Sequence, residues 1–212
     1  MADAPVSRWE RGGDKNLGYG RRFAELVASG ADVDGEARLA DTLVPRRARI
    51  LDAGSGMGRV AAYLHDRGHR VVAAEPDPGL VRQSRRTYPD VDVLPHDIMG
   101  LTDEVLTAAA GPEEFDLVVC VGNVITFVAE GTEVAVLTRL RELLAPGGRI
   151  LVGFHLEEGP ATARKVTPEE FAAELESAGL VVDHRFGGYD LRPVDDQYAV
   201  WILRAAAKVT LA

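Results

Sequence analysis

The sequence predicts an α/β fold in which a doubly wound, mostly parallel sheet carries helices on both faces. Three observations predict it. Short apolar runs rich in Val, Ile and Leu recur along the chain, as strands buried on both faces require. Longer helix-like segments alternate with them, so strand–helix units repeat. With 212 residues, 46% of them hydrophobic, the chain can enclose one sizeable core and sits near the upper end of a single domain.

The chain opens with residues 1–47, where two helices are expected, Tyr19 to Ser29 and Gly35 to Leu43. This segment is too short to hold a core of its own, so it is expected to pack as a lid or flank on a core of residues 48–206, within one structural domain. The first expected strand, Arg49 to Asp52, leads into a helix at Arg59 to Arg67, and the second, Val71 to Glu75, into a helix at Asp77 to Tyr88. A third strand at Val91 to Pro95 and a fourth at Phe115 to Val121 precede a helix at Glu133 to Leu144. After the fifth strand, Arg149 to His155, comes a helix at Pro168 to Ala178, opened by Thr167 as N-cap with Glu170 three residues on. Leu180 to Arg185 and Tyr198 to Arg204 complete the strands, and no internal repeat interrupts the pattern.

Charge and composition weigh against several classes. The formal charge is -9, from 33 acidic against 24 basic residues, which leaves no overall electrostatic footprint for nucleic acid. The single cysteine, Cys120, has no partner for a disulfide and lies in the apolar run Leu117 to Val121, the setting of a small buried hydrophobe. No Cys and His cluster has ligand spacing, so no metal is expected. Met1 to Glu10 is polar and no stretch of about 18 apolar residues occurs, so no membrane span and a cytoplasmic location are expected. Nothing in the sequence sets the oligomeric state.

The chemistry is concentrated at the ends of the first strands. Ile50-Leu51-Asp52-Ala53-Gly54-Ser55-Gly56-Met57-Gly58-Arg59 runs from a strand into a helix, and its glycines permit a tight turn and close approach of a ligand to backbone N–H groups. Glycines at such a turn also serve plain packing, so the turn alone is a weak signal. The next strand ends at Glu75, close to the offset at which an acidic side chain accepts from both ribose hydroxyls. Together the two features point to an adenosyl group. Leu94-Pro95-His96-Asp97-Ile98 closes the third strand, with Asp97 able to accept an adenine amine and Ile98 to pack on the ring. A capping role for Asp97 is the plainer alternative.

With these residues in place, the sequence resembles class I S-adenosylmethionine (SAM)-dependent methyltransferases, whose fold is Rossmann-like. The likeness is carried by Asp52-Ala53-Gly54-Ser55-Gly56, Glu75, His96-Asp97-Ile98, Phe115-Asp116-Leu117-Val118 and Leu144-Ala145-Pro146-Gly147-Gly148-Arg149. It covers Ala48 to His155, and the order and spacing of the motifs are more specific than any one of them. The resemblance implies a seven-stranded sheet in the order 3-2-1-4-5-7-6 with the seventh strand antiparallel, and SAM over the carboxyl ends of strands 1, 2 and 4. It places Asp52, Gly54, Ser55 and Gly56 around the methionine moiety, Glu75 with Pro76 at the ribose, Asp97 and Ile98 at the adenine, and Gly122 and Asn123 beneath the sulfonium. The implied activity is methyl transfer to the O, N or C nucleophile of a small-molecule acceptor by in-line displacement.

Departures from related patterns narrow the acceptor. Val121-Gly122-Asn123-Val124 stands where amino-methylating nucleic-acid enzymes carry an Asn or Asp-Pro-Pro-aromatic tetrapeptide. The lysines are Lys15, Lys165 and Lys208, a poor supply for the lysine-centred tetrad of ribose methyltransferases. Of the 5 histidines, His65 and His69 fall where a helix ends, while His96 and His184 have no clear path to a methyl group. His155 ends the fifth strand at the ligand-bearing edge, ahead of the loop Leu156 to Val166, and is the candidate for orienting the acceptor or relaying its proton. Arg82, Arg85 and Arg86 read as a solvated helix face, and Trp9 and Tyr19 either pack locally or close over the site, Tyr19 being the candidate acceptor contact.

Two other functions stay open at this level. An NAD(P)-dependent oxidoreductase shares the strand, glycine turn and acidic strand end, but its fingerprint wants glycine at the sixth position, where counting from Gly54 gives Arg59. A non-catalytic SAM-binding sensor or partner subunit is compatible with the lack of an obligatory base.

Overall fold

The computed structural model describes residues 5–16 and 18–207, so Lys208 lies outside the described residues. The leading segment holds α1 (Arg8–Gly12), a 3₁₀ turn (Gly13–Asn16), α2 (Tyr19–Ala28) and α3 (Gly35–Thr42). Helix α1 was not expected, yet its start is written in Ser7-Arg8-Trp9-Glu10. Ser7 Oγ accepts from Glu10 N at 3.1 Å and the Glu10 carboxylate accepts from Ser7 N at 2.8 Å, a capping box that satisfies two otherwise orphaned donors.

Strands and helices then alternate: β1 (Arg49–Ala53), α4 (Arg59–Asp66), β2 (Arg70–Ala74), α5 (Pro78–Thr87), β3 (Val93–Leu94), α6 (Asp103–Ala108) and β4 (Phe115–Cys120). The second half runs α7 (Val124–Phe127), α8 (Glu133–Glu142), β5 (Leu144–His155), α9 (Pro168–Ser177), β6 (Leu180–Phe186) and β7 (Tyr198–Ala205). The short helices α6 and α7 were not expected. Strand β3 is reduced to two residues, and β5 begins at Leu144 rather than Arg149, because Leu144 pairs with Phe115 ahead of an irregularity in β4 between Phe115 and Leu117.

The seven strands form one sheet in the order β3-β2-β1-β4-β5-β7-β6, as expected. Pairs β1–β2, β1–β4, β2–β3 and β4–β5 are parallel, whereas β7 is antiparallel to both β5 and β6. Successive side chains of a strand face opposite layers. Accordingly Leu51, Val118, Cys120, Ile150 and Val152 join Leu137, Phe171, Leu175 and Trp201 on the α8–α9 side. Ile50, Leu117, Val119 and Leu151 join Val60 and Leu64 of α4 on the other. Ala37, Leu39 and Ala40 of α3 belong to that second layer, so the leading segment contributes directly to the core. Arg8 ties α1 down by donating to Val128 O at 2.8 Å and pairing with Glu133 at 2.9 Å.

No helix among the described residues is long and apolar enough to cross a membrane.

Candidate functional site

The carboxyl ends of β1, β2 and β4 and the leading segment enclose a cavity of about 430 Å³. Asp52, on β1, is 2% exposed and its Oδ2 accepts from Ala61 N at 3.0 Å, within the positive first turn of α4. Burial, partly offset by the charge of Arg59, pushes its pKa up to about 7. The glycine turn that follows consumes its own donors. Gly54 N and Ser55 N both donate to Ala74 O at 2.9 Å, Gly58 N to Ser55 O at 2.9 Å, and Gly56 N to Glu75 Oε2 at 2.9 Å. A turn with these amides already engaged is a poor cradle for pyrophosphate, which binds through free N–H groups. Gly54 (φ 79°) has no room for a side chain, since a Cβ would lie 2.6 Å from both Val124 methyls, whereas Gly56 (φ 58°) opens onto empty space.

Glu75, one residue beyond β2, is 6% exposed and joins this turn to the next helix: besides Gly56 N, it accepts from Asp77 N at 2.8 Å. Burial raises its pKa to about 7. Asp77 caps α5 through Gly79 N and Leu80 N, and its other oxygen accepts from Trp9 Nε1 at 2.8 Å. The leading segment is thus hydrogen-bonded to the residue beside the acidic strand end. Asp97 caps its own turn through Gly100 N at 2.7 Å, while Ile98 beside it is buried.

Beyond β4, Gly122 (φ 71°) and Asn123 (φ 76°) take the left-handed turn that starts α7. Asn123 Oδ1 accepts from His155 N at 2.9 Å and from His155 Nδ1 at 3.1 Å. His155 is half-buried, which lowers its pKa and favours the neutral ring. Tyr198 meets that ring edge-on at 4.7 Å and shares a 2.9 Å hydrogen bond with Tyr189.

Of the residues the sequence singled out, Asp52, Gly54, Ser55, Glu75, Pro76, Asp97, Ile98, Gly122, Asn123 and Tyr19 line the cavity. Gly56 stands just behind the wall, bonded to Glu75, and His155 reaches the wall through Asn123. His96 and Trp9 also line it. Phe127 and Pro160 were missed: the one sits on the unexpected α7, the other in the segment after β5, and neither carries a local signal. Conversely, Asp116 from a motif strand is structural, bound to Arg49 N at 2.8 Å and to its guanidinium at 2.6 Å at the opposite end of β1.

The arrangement suits a ligand that is cationic and rich in hydroxyl donors. Two buried carboxyls flank one turn and Ser55 Oγ is buried with no partner, an environment that an ammonium, a sulfonium and a ribose diol, the groups of SAM, can answer. Among the described residues no group of three His, Cys, Asp or Glu is placed to hold a metal ion.

Comparison with known proteins agrees with this geometry. A family profile described as a methyltransferase domain matches residues 50–148. A TehB-like SAM-dependent methyltransferase from Corynebacterium glutamicum is 31% identical, with 88% of this chain and 96% of that one covered and a TM-score of 0.76. An SAM-dependent methyltransferase from Clostridium acetobutylicum shares the fold at 10% identity, 89% and 98% coverage and a TM-score of 0.71. The 1,6-didemethyltoxoflavin-N1-methyltransferase of Burkholderia thailandensis does so at 23% identity, 97% and 94% coverage and a TM-score of 0.62. No curated protein matches the chain. The glycine turn, the buried acidic strand end, the sheet order and the Corynebacterium relative together establish that this chain belongs to the class I SAM-dependent methyltransferases and uses SAM as its methyl donor.

Proposed function

We propose that the acceptor is a small molecule, methylated at an O, N or C nucleophile by in-line displacement. The observation that carries this reading is a single cavity that joins the acidic glycine turn to an aromatic wall from the leading segment, at a volume ordinary for small-ligand sites. Asp52, Gly54, Ser55 and Gly56 are assigned to the methionine moiety, Glu75 and Pro76 to the ribose, Asp97 and Ile98 to the adenine, and Gly122 and Asn123 to the sulfonium side. Tyr19 and His155 are assigned to the acceptor side, His155 acting through Asn123.

Bound SAM supplies a methyl group already activated by positive sulfur. The chain's part is to align the acceptor and exclude water, and such positioning can contribute on the order of 7 to 11 kcal/mol. Residues 1–47 serve that end as a flank of the 48–206 core within one domain, a reading supported by Trp9 on Asp77 and by α3 in the core. A nucleic-acid acceptor is disfavoured by the charge of -9 and by a wall carrying Glu10, Asp52, Glu75 and Asp97. The Burkholderia relative, in its solved structure, holds 1,6-didemethyltoxoflavin beside S-adenosylhomocysteine, a small-molecule precedent on this fold.

The test is incubation with methyl-labelled SAM and a metabolite extract, with Gly54→Val as the binding-dead control. Label should pass to a small molecule only with the unaltered protein. Saturable labelling of tRNA or DNA instead, or SAM binding with no labelled small product, would overturn the acceptor assignment.

A further inference from the structure

Asn123 carries more than its place in the wall. It is 8% exposed, and β4 ahead of it lies between β1, which bears the glycine turn, and β5. Its carbonyl accepts from Thr126, but its N–H and side chain turn toward β5: the N–H donates to Gly153 O at 3.0 Å, and Oδ1 accepts from His155 N and Nδ1. A backbone N–H can only donate, so the amide atom facing it is oxygen and the NH₂ must point the other way. No described residue accepts from Asn123 Nδ2, and Nδ2 is not among the buried unpartnered atoms, which belong to Ser55, Ser84, Glu174, Arg185 and Trp201. A donor of fixed orientation therefore opens onto the cavity.

Its surroundings define what it would meet. Phe127, the last residue of α7, lines the same cavity. Trp9 meets Phe127 edge-on at 5.3 Å and Tyr19 at 5.6 Å, so a continuous aromatic wall stands beside the donor. The charges lining the cavity are Glu10, Asp52, Glu75, Asp97 and Arg59, and Arg59 is engaged by Glu36 at 2.8 Å. Among the described residues an anionic acceptor has no free cation to meet there.

We propose that the acceptor is a planar, non-anionic heteroaromatic compound with a carbonyl oxygen or bare ring nitrogen beside the atom to be methylated. Asn123 Nδ2 donates to that lone pair, and His155 is the positioning residue that holds the amide in register. The proposal rests on the small-molecule reading above and sharpens it to a class.

Two planar bicyclic probes of similar shape test it on protein loaded with S-adenosylhomocysteine: coumarin, which presents a carbonyl oxygen and no N–H, and 2-naphthylamine at a pH where it is neutral, which presents an N–H and no carbonyl or ring nitrogen. The unaltered protein should prefer coumarin by roughly threefold to tenfold, the scale of one hydrogen bond, and the Asn123 side-chain amide should shift in its NMR spectrum on binding. Asn123→Asp keeps both bonds from His155 but turns an acceptor to the cavity, so the preference should reverse. His155→Ala removes the Nδ1 bond while the backbone N–H of residue 155 still holds Oδ1, so the preference should shrink but keep its sign. Equal binding of the two probes, an Asn123 amide that does not move, a ratio untouched by Asn123→Asp, or no saturable binding of either probe each overturns the proposal. If S-adenosylhomocysteine binds and the probes fail, the small-molecule reading survives; if it does not bind, both readings fall.

Discussion

At the scale of single residues, the site depends on buried carboxylates and on one glycine that nothing else can replace. Glu75→Ala removes the assigned ribose acceptor and should weaken SAM binding by roughly 1 to 3 kcal/mol, the range for hydrogen bonds to a charged partner. Calorimetric titration of the folded variant checks this, and unchanged affinity would refute the assignment. Gly54→Ala forces a Cβ into both Val124 methyls at positive φ and should cost roughly 1 to 3 kcal/mol of stability as well as SAM affinity, measured by denaturant melts. His155→Ala should lower turnover on the natural acceptor while SAM still binds. Because His155 reaches the cavity wall through Asn123, the expected loss is smaller than the roughly 10² to 10⁴-fold of a lost general base, and a loss of that full size would make His155 the base instead. Asp52, Gly54 and Glu75 were legible from sequence because turn geometry and strand ends dictate their types. The tie between His155 and Asn123 was not, since it joins the ends of two strands that only the sheet order makes neighbours.

At the scale of elements, the leading helix α1 is tied to the rest of the fold by Trp9 on Asp77, Arg8 on Val128 and Glu133, and Arg11 on Glu130. Trp9→Phe keeps the aromatic contacts with Phe127 and Tyr19 but deletes the bond to Asp77 beside Glu75. The expected result is a several-fold loss of SAM affinity, on the scale of one hydrogen bond, with little change in melting temperature; unchanged affinity would reduce α1 to packing. The capping box of α9 gives the contrasting case. Thr167→Ala should cost about 1 kcal/mol of stability, as loss of an N-cap does, and leave SAM affinity alone. Both capping boxes were written in the sequence, at Ser7 and Glu10 as at Thr167 and Glu170. Helix α7 was not legible, because four residues show no period and its start is a left-handed asparagine rather than a side-chain cap.

At the scale of the whole molecule, Asp52 and Glu75 make stability depend on pH in an unusual direction. Burial raises both pKa values to about 7, above the ordinary 3.8 and 4.5, so between those limits the folded protein holds protons the unfolded chain releases, and stability falls as pH rises. Hydrogen bonds from His69 to Asp41 and from Arg49 to Asp116 depress those two carboxyls, and their contribution is lost only in stronger acid. Ligand-free protein should therefore melt at a higher temperature at about pH 5 than at about pH 8, and Asp52→Asn should flatten the trend. Calorimetry at the two pH values decides it, and a melting point that drops on acidification equally in both proteins would contradict the assignment. By itself the sequence determined the alternation of strands and helices, the glycine turn, the acidic strand end and the family, because backbone propensity, burial periodicity and turn chemistry act over a few neighbouring residues. Only the tertiary structure decided that Trp9 bonds Asp77, that the glycine turn spends its own amides on Ala74 and Glu75, and that Asn123 Oδ1 accepts from His155. Each of these joins residues far apart in the chain, and such pairs meet only when the order of strands in the sheet brings their ends together.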